Sequence, residues 1–127
     1  MNESLMPKII KIATRKSPLA LWQARRVSEL LKSMDSSLVI QLVKITTEGD
    51  KILDKPLYDI GGKSLFLKEL EQSLLNEECD IAVHSMKDMP AILHNDLKIS
   101  AMLEREDARD ILISRKYNTL SGSICWA

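Results

Sequence analysis

The chain has 127 residues, 45% of them hydrophobic and 28% charged, with 18 basic against 18 acidic side chains. That length and apolar content suit one compact domain with a real core, and they exclude a disordered chain or two ordinary domains. A formal net charge of zero excludes a general nucleic-acid or polybasic membrane binder, so any affinity for anions has to come from local placement of cations.

In chain order, Ile9, Ile10, Lys11, Ile12, Ala13 and Thr14 form a short β-branched run that predicts a buried strand. Ser17 is placed to cap a helix and Pro18 fits its first turn. Leu19, Ala20, Ala24, Val27, Leu30, Leu31 and Met34 then repeat at helical spacing, until Asp35, Ser36 and Ser37 stop the helix. Residues 38–45 read as a second strand. Thr46 to Lys63 reads as a long polar connection holding Gly49, Pro56, Gly61 and Gly62, and connections of that length usually carry function. Ser64 is the expected cap of a second helix, on which Phe66, Leu67, Leu70, Leu74 and Leu75 share a face. Residues 80–84 give a third strand, residues 97–103 a fourth, and Ile111 to Ser114 another beyond the charged run from Glu104 to Asp110.

Strands alternating with helices predict an α/β fold with a mainly parallel sheet and helices on both faces. Ligands of such sheets sit beyond the carboxyl ends of the strands. The loops leaving that edge bring Arg15, Ser17, Lys63, Ser85, Lys87 and Asp88 towards one side. The expected site is a basic, hydroxyl-lined cleft with one carboxylate, suited to small carboxylates or phosphates, and the helix starts after Ser17 and Ser64 add amide donors.

Each piece also has a plainer reading. Arg15 to Pro18 can be an ordinary helix cap, Lys87 and Asp88 a solvated pair, and His84 a hydrogen-bonded structural residue. The run from Glu104 to Asp110 reads as a solvated link, and Trp22 and Phe66 as core. Two cysteines, Cys79 and Cys125, and two histidines, His84 and His94, supply neither a disulfide framework nor a metal site. No run approaches the roughly 20 apolar residues of a spanning helix, and the first residues lack a secretory layout, so the expected location is cytoplasmic.

Several strings in order resemble one family. Residues 12–24, Ile-Ala-Thr-Arg-Lys-Ser-Pro-Leu-Ala-Leu-Trp-Gln-Ala, are similar to the opening signature of the porphobilinogen deaminases, also called hydroxymethylbilane synthases. Thr46-Thr47-Glu48-Gly49-Asp50, Gly61-Gly62-Lys63-Ser64-Leu65-Phe66 and Lys68-Glu69-Leu70-Glu71 follow in the family's order. The most specific string is residues 80–90, Asp-Ile-Ala-Val-His-Ser-Met-Lys-Asp-Met-Pro, and Glu104 to Asp110 is similar to the segment near the family's first domain boundary. One local departure is Asp59, which stands where many members carry lysine.

The resemblance implies a transferase of haem and tetrapyrrole biosynthesis that joins four porphobilinogen units head to tail into hydroxymethylbilane, with loss of ammonia. It implies a soluble, typically monomeric enzyme with a small-molecule substrate, no nucleic-acid or membrane partner, and a covalent dipyrromethane cofactor. Porphobilinogen carries an acetate and a propionate, which gives a protein of zero net charge a reason for a cationic cleft. By the same resemblance Asp88 is the catalytic carboxylate facing the positive charge that develops on pyrrole nitrogen. Arg15, Ser17, Ser85 and Lys87 hold the acids of cofactor and substrate, and Lys63 belongs to an active-site loop.

The implied fold is the first domain of a three-domain deaminase, periplasmic-binding-protein-like, cut early in domain two. The expected organisation is residues 1–103 as domain one without its returning segment, 104–124 as hinge and start of domain two, and 125–127 as an aberrant tail. Neither Cys79 nor Cys125 lies in the context of the family's cofactor cysteine. A one-base shift across the codons of Cys125 and Trp126 permits Val-Gly, which suits the family pattern and suggests a frameshifted or otherwise truncated gene product. Such a chain is expected to be inactive alone. The alternative is a non-catalytic module that binds small carboxylates.

Overall fold

The computed structural model describes residues 8–51 and 67–108. Three parallel strands, β1 (Ile9–Arg15), β2 (Val39–Ile45) and β3 (Ile81–Ala82), form a sheet in the order β2-β1-β3. Helix α1 (Pro18–Met34) links β1 to β2, the one-turn α2 (Glu48–Lys51) follows β2, and α3 (Lys68–Leu75) precedes β3.

The central strand is covered on both sides, with Ile12, Ala13 and Thr14 all wholly buried. Side chains alternate along a strand. Thr14 donates its hydroxyl to the Ala20 carbonyl of α1 at 3.1 Å, whereas Ala13 packs with Leu70 of α3 and Cys79. The two longer helices therefore lie on opposite faces of an α/β sheet, as the sequence predicts. Val43, Ile45, Leu74 and Ala82 complete the cluster around Leu70. Burying it is the main favourable contribution, since a Leu-sized side chain gains about 1.5–3 kcal/mol on leaving water.

Local chemistry fixes the element ends. Ser17 is the N-cap of α1, its Oγ accepting from the Ala20 amide at 3.3 Å, with Pro18 in the first turn. Asp35 ends that helix and accepts from both the amide and the hydroxyl of Ser37 at 2.9 and 2.7 Å. After α3 the Glu77 amide bonds to Leu74 O and the Glu78 amide to Ser73 O, with Glu77 at φ 58°. This is a Schellman closure with a glutamate in the left-handed position. β3 is short, and Asp80 extends its ladder: its carboxylate accepts from the Lys11 amide at 2.7 Å while its own amide donates to Lys11 O at 3.0 Å.

Several expectations are corrected. Trp22 is 54% exposed rather than core, because at 100° per residue it stands on the side of α1 away from buried Ala20 and Ala24. Leu19 and Met34, also expected on the buried face, are exposed. The connection after Ile45 is not wholly irregular, since α2 forms within it. Helix α3 starts at Lys68 with Leu67 at its N-cap and no side-chain cap, while Ser64 and Phe66 lie outside the described residues. Residues 97–103 form no strand: Ile99, Met102 and Leu103 are exposed, and a strand requires a partner that no described residue provides. The expected strand from Ile111 to Ser114 lies outside the described residues. No described helix is long and apolar enough to cross a membrane.

Candidate functional site

Because the three strands are parallel, Arg15, Ile45 and Ala82 all end at one edge of the sheet, and the chain leaves β1, β2 and β3 side by side. Ligands of open α/β sheets gather at that edge.

The exit from β1 carries Arg15 and Ser17. Ser17 Oγ is committed to its cap, which leaves the hydroxyl hydrogen able to donate. Arg15 is not a solitary cation. Its Nη2 is salt-bridged to Asp50 Oδ1, and its Nε donates to Asp50 Oδ1 and Oδ2 at 3.2 and 3.4 Å.

The exit from β2 supplies that Asp50 through a reciprocal cap. Thr47 precedes α2, and its hydroxyl and amide donate to Asp50 Oδ2 at 2.7 and 3.2 Å. The Asp50 amide donates back to Thr47 Oγ1 at 3.3 Å and Thr47 O at 3.1 Å. This is a capping box with aspartate in the third helical position. Burial pushes the Asp50 carboxyl upward, but the bonds from Arg15 and Thr47 outweigh it and hold its pKa below the usual carboxylate value. Glu69 of α3 also accepts from the Glu48 amide at 2.7 Å, tying α2 down from a second element.

The exit from β3 carries His84, Ser85 and a 3-10 turn over Met86–Asp88. Gln23 of α1 donates to Ser85 Oγ at 3.0 Å, and the Asp88 amide donates to Ser85 O at 3.0 Å. Lys87 is exposed and Asp88 half-buried. Burial lowers the His84 pKa, the Asp88 carboxylate pulls it up, and the Arg15 guanidinium pushes it down. The imidazole is therefore neutral at pH 7, and it lies in the fields of both the first and third exits. His84 forms no hydrogen bond with a described residue, contrary to its reading as a hydrogen-bonded structural group.

Arg15, Ser17, Ser85, Lys87 and Asp88 thus occupy one edge, and Lys63 lies outside the described residues. The expected single carboxylate is corrected to two, Asp50 and Asp88, because the capping box turns Asp50 towards Arg15. Sequence reasoning missed Asp50, Thr47 and Gln23. The Thr47-Glu48-Gly49-Asp50 spacing was the available signal for the first two. Gln23 meets Ser85 only through the tertiary fold. Among the described residues no group of three His, Cys, Asp or Glu side chains could hold a metal ion.

Residues 10–123 match the family described as "Porphobilinogen deaminase, dipyromethane cofactor binding domain". The chain is 53% identical over 111 residues to the porphobilinogen deaminase of Rickettsia bellii (strain OSU 85-389), covering 87% of this chain and 37% of the relative. It is 52% identical over 115 residues to that of Rickettsia canadensis (strain McKiel), covering 91% and 38% respectively. The chain spans less than two-fifths of the length of these curated relatives. It belongs to the porphobilinogen deaminase family.

Proposed function

We propose that this member of the family carries the carboxylate-gripping and charge-stabilising part of a deaminase site that condenses four porphobilinogen units into hydroxymethylbilane with loss of ammonia. The observation that carries the reading is the meeting of the β1 and β3 exits at one edge of the parallel sheet: α1, which starts at the β1 exit, bonds the β3 exit through Gln23 and Ser85 at 3.0 Å, with Arg15, Ser17, Lys87 and Asp88 on that edge. Cations and hydroxyls for acid groups, with one carboxylate for pyrrole N–H, match a ligand that carries both.

The same donor set fits a dipyrromethane, whose acids Arg15, Ser17, Ser85 and Lys87 would hold; when bound, that group supplies the pyrrole from which the chain of units grows. Asp88 opposes positive charge on pyrrole nitrogen and accepts or returns its proton. Cys79 is not the attachment point, which its burial at 4% exposure among Ala13 and Leu70 supports, since a thiol sealed in the core is out of reach. Cys125 lies outside the described residues. Residues 1–103 act as the first domain without its returning segment, and 104–124 lead out of it as the hinge and the start of the second.

Two measurements test this reading. Purified alone, the chain is expected to release neither ammonia nor bilane from porphobilinogen, and release of both would refute that expectation. Substituted for the matching part of the Rickettsia bellii enzyme, this sequence should support turnover. Asp88→Asn in that hybrid should then reduce turnover on the order of 100-fold or more with an unchanged melting curve. Near-normal turnover would remove Asp88 from the chemistry. Equal affinity of the chain for simple dicarboxylates and porphobilinogen would favour a carboxylate-binding module instead.

A further inference from the structure

We propose that Asp50 is a positioning residue of this site: through its capping box with Thr47 it holds the Arg15 guanidinium in the orientation that receives a ligand carboxylate. The proposal rests on the reading of Arg15 as a ligand-gripping residue given above.

The backbone of Arg15 is fixed, because it ends β1 in register with Ile45. Its long side chain would otherwise lose rotamer entropy on being held by a ligand. Asp50 meets that cost before a ligand arrives, by engaging both Nε and Nη2 and so fixing the plane of the fork. The carboxylate is itself held from two directions. Thr47, wholly buried, bonds it through hydroxyl and amide. The helix turn beneath it is tied to α3 through Glu48 and Glu69. Residues 35 positions apart in sequence are joined in this way into one frame spanning β1, α2 and α3.

A negative group beside a cation could instead weaken the cation's hold on a ligand acid. The two effects have opposite signs, and a charge-removing substitution separates them. If Asp50 mainly neutralises Arg15, Asp50→Asn tightens carboxylate binding. If it positions Arg15, the same change weakens binding by the cost of ordering one long side chain, roughly 2- to 10-fold.

The experiment uses the whole 127-residue chain, isotopically labelled, with porphobilinogen as the probe. The Arg15 Nε–Hε resonance reports directly on whether the guanidinium is held. We expect a sharp, exchange-protected signal in the native chain and its loss in Asp50→Asn, with the backbone amide spectrum otherwise retained. The dissociation constant for porphobilinogen should rise 2- to 10-fold in the same variant. Thr47→Ser, which keeps the hydroxyl, should preserve both readouts, and Thr47→Ala should move both towards Asp50→Asn. An unchanged Nε–Hε signal, or tighter binding in Asp50→Asn, would overturn the proposal. Absence of porphobilinogen binding by the native chain would instead count against Arg15 as a ligand residue, a separate failure from that of the positioning.

Discussion

The loops leaving β2 and β3 lie on either side of the same central strand, yet they are held very differently. After β2, Thr47, Asp50 and Glu48 are bound to one another, to Arg15 and to Glu69 within a single helical turn. After β3, the turn carrying Lys87 and Asp88 rests on the Ser85 and Met86 carbonyls and on one bond from Gln23 to Ser85. The first loop spends its polar groups on structure and fixes a cation. The second leaves Lys87 exposed and Asp88 half-buried, with no described hydrogen bond to either side chain. Asp50 therefore spends its oxygens on Arg15 and Thr47, whereas Lys87 and Asp88 keep their donors and acceptors for a ligand, and the five N–H groups of Arg15 leave it donors beyond those given to Asp50.

The largest effect on this contrast should come from removing what both loops stand on. Leu70 is wholly buried beneath the ends of β2 and β3, against Ala13, Val43, Ile45 and Ala82. Leu70→Ala is expected to cost about 2–5 kcal/mol. Hydrogen exchange should show protection lost in both exits together, and loss in one alone would mean they are not seated on a shared core.

A smaller effect isolates the β2 exit. Asp50→Ala removes the capping-box carboxylate and the partner of Arg15, at an expected cost of about 1–2 kcal/mol by denaturant unfolding. Protection should fall at Thr47–Lys51 and remain at Met86–Asp88. A uniform loss would erase the distinction between the loops.

The smallest effect is a separation by pH. Both His84 and Asp50 have folded pKa values below their ordinary ones, so the unfolded chain binds more protons and stability falls on acidification. The His84 contribution is present above about pH 6.5 and is lost as pH falls from there towards its folded value. That of Asp50 is lost only below about pH 4, as its folded value is passed. The β3 exit should therefore loosen first on acid titration and the β2 exit later. His84→Gln should remove the upper step in stability against pH and leave the lower one, whereas an unchanged upper step would assign it to another group.

Much of this was legible in the sequence because it is local. The β-branched run at Ile9–Thr14, the Ser17-Pro18 start and the Asp35 stop each act over a few residues, where spacing alone fixes which groups meet. The parallel α/β arrangement followed from strands alternating with helices, and the placement of Arg15, Ser17, Ser85, Lys87 and Asp88 followed from strand ends sharing an edge. The tertiary structure alone decided the rest. Leu97–Leu103 has the composition of a strand but no described partner, whereas the two-residue β3 became a strand because β1 lay beside it, with Lys11 facing Asp80. Arg15 found Asp50 and Gln23 found Ser85 because strand register and helix packing brought together side chains 35 and 62 positions apart. Local propensity reaches one helical turn; which carboxylate a cation meets beyond that turn is a matter of distance in the folded chain.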